Sequence, residues 1–137
     1  MRRSILFLFL IVGLLACEEE NVPVSPSAKN ATLNSVLTDP AGLRINEFIE
    51  DGANKTSLFN SFLFVFDANG NVTATNTGAQ ISGSYLVFQD DGKTELMMTF
   101  PINGPLYELT DDWYFISANT NTLRFEDRGD VLQFEKQ

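Results

Sequence analysis

The sequence predicts an all-β domain: an eight-stranded antiparallel up-and-down barrel with one short N-terminal helix. Three observations carry this expectation. From Leu43 onward apolar and polar residues alternate in runs of five to nine, the period of a strand with one buried face. Between the runs stand short turn formers: Asn69-Gly70, Thr77-Gly78, Asp90-Asp91-Gly92, Asn119-Thr120-Asn121 and Asp127-Arg128-Gly129-Asp130. Finally, a meander of eight consecutive strands loses both open edges most economically by closing into a barrel, with an open meander or two-sheet sandwich as the alternative.

Ahead of the strands, Leu33, Val36 and Leu37 fall at i, i+3 and i+4. Thr32 or Asn30 can cap the start of a helix there, and Pro40 stops it. Two turns do not stand alone in water, so this helix is expected to lie on the sheet or plug an opening. The first strand, Leu43–Glu50, contains Phe48-Ile49, which breaks the alternation and suggests a bulge. After a polar loop from Asp51 to Ser57, Phe59–Asp67 sets Phe62, Phe64 and Phe66 on one face. Val72–Asn76 follows, then Ile81–Phe88 with Ile81, Gly83, Tyr85 and Val87 on one side. Glu95–Phe100 aligns Leu96, Met98 and Phe100. A longer connection holds Asn103-Gly104-Pro105 and a helical turn at Tyr107–Leu109. Trp113–Ala118, Thr122–Glu126 and Val131–Lys136 complete the set.

Phe59 to Thr75, Gly83-Ser84-Tyr85, Leu96 to Phe100, Asp111-Asp112-Trp113 and the closing Leu132-Gln133-Phe134-Glu135-Lys136 resemble the small lipocalin-like lipoproteins of Bacteroidetes-type bacteria. The likeness spans about the last 95 residues, one domain's worth. It departs where such domains open their first strand with Trp-Arg, here Leu43-Arg44, and where a Gly-x-Trp-like step is here Gly83-Ser84-Tyr85. The resemblance implies a barrel that binds a small ligand or a partner, without catalytic residues.

The N-terminus carries a second signal. Arg2 and Arg3 precede an apolar run ending in Leu14-Leu15-Ala16-Cys17, followed by Glu18, Glu19 and Glu20. This is the build of a secretory signal whose cleavage point carries a thiol, and it resembles a bacterial lipoprotein box. That resemblance implies cleavage before Cys17 and lipid on its thiol and amino group. A permanent membrane helix is the first alternative, but Ile5 to Ala16 is 12 residues where roughly 20 are needed. The second is an ordinary free thiol, though secreted chains seldom leave one odd cysteine unpaired. The expected organisation is a removed signal peptide at 1–16, lipidated Cys17 with an acidic run and flexible tether at 17–30, and the barrel at 31–137. Each buried CH₂ adds about 0.8 kcal/mol, so two or three acyl chains anchor a domain stably where one does not. Glu18, Glu19 and Glu20 read either as a solvated spacer or, by resemblance to Bacteroidetes-type lipoproteins, as a signal for export to the outer face of the outer membrane. The expected location is the outer membrane, lipid-anchored, on its periplasmic face or the cell surface.

Composition narrows the chemistry. Losing Arg2 and Arg3 with the signal leaves 7 Lys+Arg against 18 Asp+Glu, a net charge of −11 that repels nucleic acid. With no histidine and no cysteine beyond Cys17, the domain has no disulfide, no thiolate metal site and no side chain that titrates near neutrality unperturbed. The carboxylate pairs Asp90-Asp91, Asp111-Asp112 and Glu126-Asp127 all fall at turns, where paired acids are solvated, so no enzyme is expected. Asp67-Ala68-Asn69-Gly70-Asn71 resembles the start of a calcium loop, but Gly78 stands where the closing glutamate belongs and a hairpin turn is expected instead. No metal or cofactor is expected.

Function then turns on the aromatics. Phe62, Phe64, Phe66, Tyr85, Phe100, Trp113, Phe115, Phe125 and Phe134 can all point inward, and an eight-stranded barrel is just wide enough to be filled by them or to hold one small ligand. The leading expectation is a small apolar ligand lined by Phe64, Tyr85, Met98 and Trp113. The competing one is a solid barrel that docks on another envelope protein through the outer faces of its strands, where Leu63, Val65, Leu86, Phe88, Tyr114 and Ile116 fall.

Overall fold

The computed structural model describes residues 26–137. Cys17, Glu18, Glu19, Glu20 and the first part of the expected tether lie outside the described residues. Helix α1, Pro26–Leu37, begins ahead of the expected caps at Asn30 and Thr32. Proline's fixed φ suits the first helical position, where its missing N–H costs nothing. Asn30, no longer needed as a cap, accepts a hydrogen bond from the Thr94 hydroxyl at 2.7 Å. Leu33, Val36 and Leu37 are buried, as their spacing requires.

The strands are β1 (Leu43–Glu50), β2 (Ala53–Asn54), β3 (Leu63–Phe66), β4 (Asn71–Thr75), β5 (Gln80–Asp90), β6 (Lys93–Thr99), β7 (Asp112–Ala118), β8 (Thr122–Asp127) and β9 (Asp130–Lys136). From β3 to β9 each strand pairs antiparallel with the next, and β1 pairs along its length with β9. The Leu43↔Phe64 pair joins β1 to β3 and closes eight strands into a barrel, leaving β2 outside as a hairpin on β1. Closure at this seam is thin, and Arg44 reinforces it by donating from Nη1 to the Ser61 carbonyl at 3.0 Å; on the β9 side its Nε donates to Gln137 at 2.9 Å. The rest of the free β1 edge is covered by the segment after β2, where Lys55 N–H bonds to the Phe48 carbonyl and Phe48 N–H to the Thr56 hydroxyl, both at 2.9 Å.

Sequence and structure differ in three places. Asp51-Gly52, inside the expected polar loop, is a two-residue hairpin turn: both residues have positive φ, at 50° and 75°, which is what folds β2 back on β1. The run expected as one strand from Phe59 is a strand only from Leu63. A 3₁₀ turn, Thr56–Leu58, precedes the run, and its first part is a second turn in which Phe62 N–H bonds to the Phe59 carbonyl; together these drop Phe59 and Phe62 into the core. The β1 bulge falls between Ile45 and Glu47 rather than at Phe48-Ile49. By adding one residue it restores the phase, so Leu43, Ile45 and Phe48 all face inward. A matching shift between Phe115 and Ser117 does the same in β7.

Helix α1 packs against β7 and β8 and covers the barrel end where β6 and β8 begin. At the opposite end the connection from β6 to β7 folds over the opening, with the expected helical turn at Tyr107–Leu109. Leu106 and Leu109 are buried there.

Candidate functional site

The interior comes first, because the expected ligand residues lie there. Phe64 is fully buried, and its ring meets those of Phe62, Phe100 and Phe134 at 6.3, 6.3 and 5.6 Å between centroids. Phe134 continues the chain of edge contacts to Phe66 at 5.7 Å and Phe125 at 6.3 Å. Nearer the other end, Phe48 touches Phe59 at 4.9 Å and Trp113 at 5.9 Å. Edge-to-face geometry recurs, the arrangement aromatic rings prefer when they pack on each other.

Of the four residues expected to line a ligand pocket, Phe64, Met98 and Trp113 are buried in this core. Trp113 donates its indole N–H to the Leu109 carbonyl at 3.2 Å, so its one polar atom is already spent. Tyr85 stands apart, half-buried at the barrel end. Its hydroxyl donates to the Asp67 carbonyl, and burial together with the nearby Asp67 charge pushes its pKa up. Asp67 itself organises the β3–β4 turn: its carboxylate accepts from the backbone N–H of Asn69 and Asn71, and from the Asn71 side chain. Those hydrogen bonds hold the Asp67 carboxyl below its ordinary pKa. Among the described residues, open grooves of about 460 Å³ indent the outside of the barrel, and of the four Tyr85 borders one of these.

The outside has two unlike faces. Across β8, β9 and β1 it is a closed polar network. Arg124 pairs with Glu47 at 2.7 Å and Glu126 at 3.4 Å, and Gln133 bonds to Asn46 at 3.1 Å. Across β5, β6 and β7 large apolar side chains stand among Asp90, Lys93, Glu95 and Asp112, and no ion pair joins these charges. The register sets Leu86 opposite Met97, and sets Phe88, Glu95 and Tyr114 in one row. Leu86, Met97 and Ile116 are 52%, 37% and 45% exposed.

Amid this face Glu95 is only 4% exposed as a residue; no protein hydrogen bond or ion pair holds its carboxylate, whose oxygens remain at the surface. Burial, followed by the charges of Asp90 and Asp112, raises its pKa; Lys93 opposes this and Asp127 adds to it. Lys93 does not pair with it, because its ammonium sits over the Tyr114 ring, 4.6 Å from the centroid. Sequence reasoning placed Leu86, Phe88, Tyr114 and Ile116 on this side but passed over Glu95. What sets Glu95 apart is its cross-strand neighbours, and those are known only once the register is known. Among the described residues, no three acidic side chains gather as a metal ion would need.

No protein-family model matches the chain, and no curated protein does. Among solved structures, the chain is similar to a DUF4847 family protein from Bacteroides vulgatus, at 16% identity and a TM-score of 0.53. The match covers 77% of this chain and 99% of that one, and at this identity it is a likeness of fold.

Proposed function

We propose that this chain is a lipid-anchored module of the bacterial envelope whose solid barrel docks on another envelope protein through the outer face of β5, β6 and β7. The observation that carries the docking reading is the contrast between the two outer faces: one satisfies its polar groups internally, while the other leaves three large apolar side chains and a carboxylate unpartnered. Leu58, Ile102 and Tyr107 are exposed elsewhere, singly or on a connection, whereas Leu86, Met97 and Ile116 share one sheet face, and such a patch is a mark of a partner site. The packed interior supports the same reading, since the rings that would line a ligand pocket spend their surfaces on one another. The anchor rests on Cys17 and the apolar run before it, and display on either side of the outer membrane rests on Glu18, Glu19 and Glu20. A photo-cross-linking residue at position 97 in living cells, compared with one at position 133 on the polar face, tests the docking. A discrete adduct from 97 alone, lost on Leu86→Glu, is expected. Equal products from both positions, or none from 97, would sink the reading.

A further inference from the structure

Resting on that docking reading, we propose that Glu95 is the anchor for an arginine side chain carried by the partner protein, which lies between Phe88 and Tyr114. Glu95 is 4% exposed, with its carboxylate oxygens at the surface, so apolar neighbours strip most of its hydration while no protein group pairs with it. From residue 44 onward every other cation of the chain is engaged elsewhere: Lys55 with Glu50 and Glu108, Arg124 with Glu47, Arg128 with Asp127, Lys136 with Asp39, and Arg44 at the barrel seam. Lys93 is two residues away on the same face, and its ammonium rests on the Tyr114 ring rather than pairing with Glu95.

The surroundings select the occupant. Phe88 on one side and Tyr114 on the other are the cross-strand neighbours of Glu95. The ammonium of Lys93 already rests on the Tyr114 ring, so that ring accepts a cation in this geometry. Of the two cationic side chains, a guanidinium fits better, because its plane stacks on a ring while its edge donates two N–H bonds to one carboxylate. A free small cation would leave Leu86, Met97 and Ile116 uncovered, whereas a polypeptide brings apolar neighbours with its arginine. The charge of −11 on the chain after Ala16 favours a basic partner in the same sense. The raised pKa of Glu95 is what a carboxylate awaiting its counter-charge should show.

The test uses the lipidated full chain with the cross-linker at position 97. Glu95→Gln should cut the adduct about tenfold while circular dichroism shows an unchanged barrel. Mass spectrometry should place the cross-linked partner segment within a few residues of an arginine. In isolated membranes a peptide alternating leucine and arginine should suppress the adduct, and its citrulline counterpart should not. An adduct that survives Glu95→Gln, or that both peptides suppress equally, overturns the arginine anchor and leaves docking standing. Absence of any adduct from the parent chain overturns both.

Discussion

Replacing Phe64 by alanine probes whether the barrel is solid. The ring is fully buried, touches three other rings at 5.6 to 6.3 Å, and belongs to the residue that bridges β3 to Leu43 at the seam. Truncating a phenylalanine so enclosed costs about 3–5 kcal/mol, because the transfer energy is lost and the void cannot fully collapse. A small domain has about 5–15 kcal/mol in total. With a urea dependence of about 1.5 kcal/mol per molar, the unfolding midpoint should fall by about 2–3 M. Leu86→Ala is the internal control: at 52% exposure it should move stability by less than about 0.5 kcal/mol. Urea melts of the two variants and the parent read both outcomes. A loss below about 1.5 kcal/mol for Phe64→Ala, together with binding of an apolar fluorescent probe by the parent, would show that the ring borders a space and would refute the packing argument.

Gly83→Ala should cost about 1–3 kcal/mol by overpacking, since an added Cβ would stand 2.6 Å from the Thr99 carbonyl oxygen and 2.8 Å from the Phe100 ring; thermal melts would check it. Asp39 is held below its ordinary pKa, first by the hydrogen bond from Lys136 and then by that from the Ala41 N–H. Its contribution is therefore present above the unfolded value and lost as pH falls through the lower folded value. Asp39→Asn should destabilise at neutral pH and match the parent at strongly acid pH, as urea melts across that range would show. Cys17→Ser should abolish fatty-acid incorporation and release the chain from the membrane; unchanged metabolic labelling would remove the basis for the anchor. Replacing Glu18, Glu19 and Glu20 together should change protease shaving of intact cells without changing the barrel, and equal exposure before and after would leave only the spacer role.

The strands were legible because alternation and turn chemistry are local. Leu43–Glu50 needed only its own pattern, and Asp90-Asp91-Gly92 and Asp127 to Asp130 needed only residues that tolerate positive φ. What escaped depends on partners far along the chain. The β1 bulge is placed by its register against β9, so the sequence of β1 alone put it a few residues late. Phe59 looked like the start of a strand and is instead folded inward by two turns to meet Phe48. Asp51-Gly52 was a hairpin signal hidden in a polar stretch, because the strand it turns into is two residues long. The interior aromatics could be assigned to a face but not to a state: filled and hollow barrels share one alternation. Glu95 resembled any strand glutamate until Phe88 and Tyr114 came to stand on either side of it.

The pairing of the first long strand with the last sets the order in which the barrel can be finished. Arg44 and Gln137, hydrogen-bonded beside the β1–β9 pairing, are 93 residues apart. A ribosome delivers β9 after the other strands of the barrel, and contacts so distant in sequence form slowly. Until those residues arrive, β8 lacks its neighbour and β1 lacks the strand that covers most of its length. Bare edges of this kind recruit strands from other chains. A chain stopped before Asp130 is thus an open sheet with two adhesive margins, and premature termination near the end should be read out as aggregation rather than as a lowered melting point.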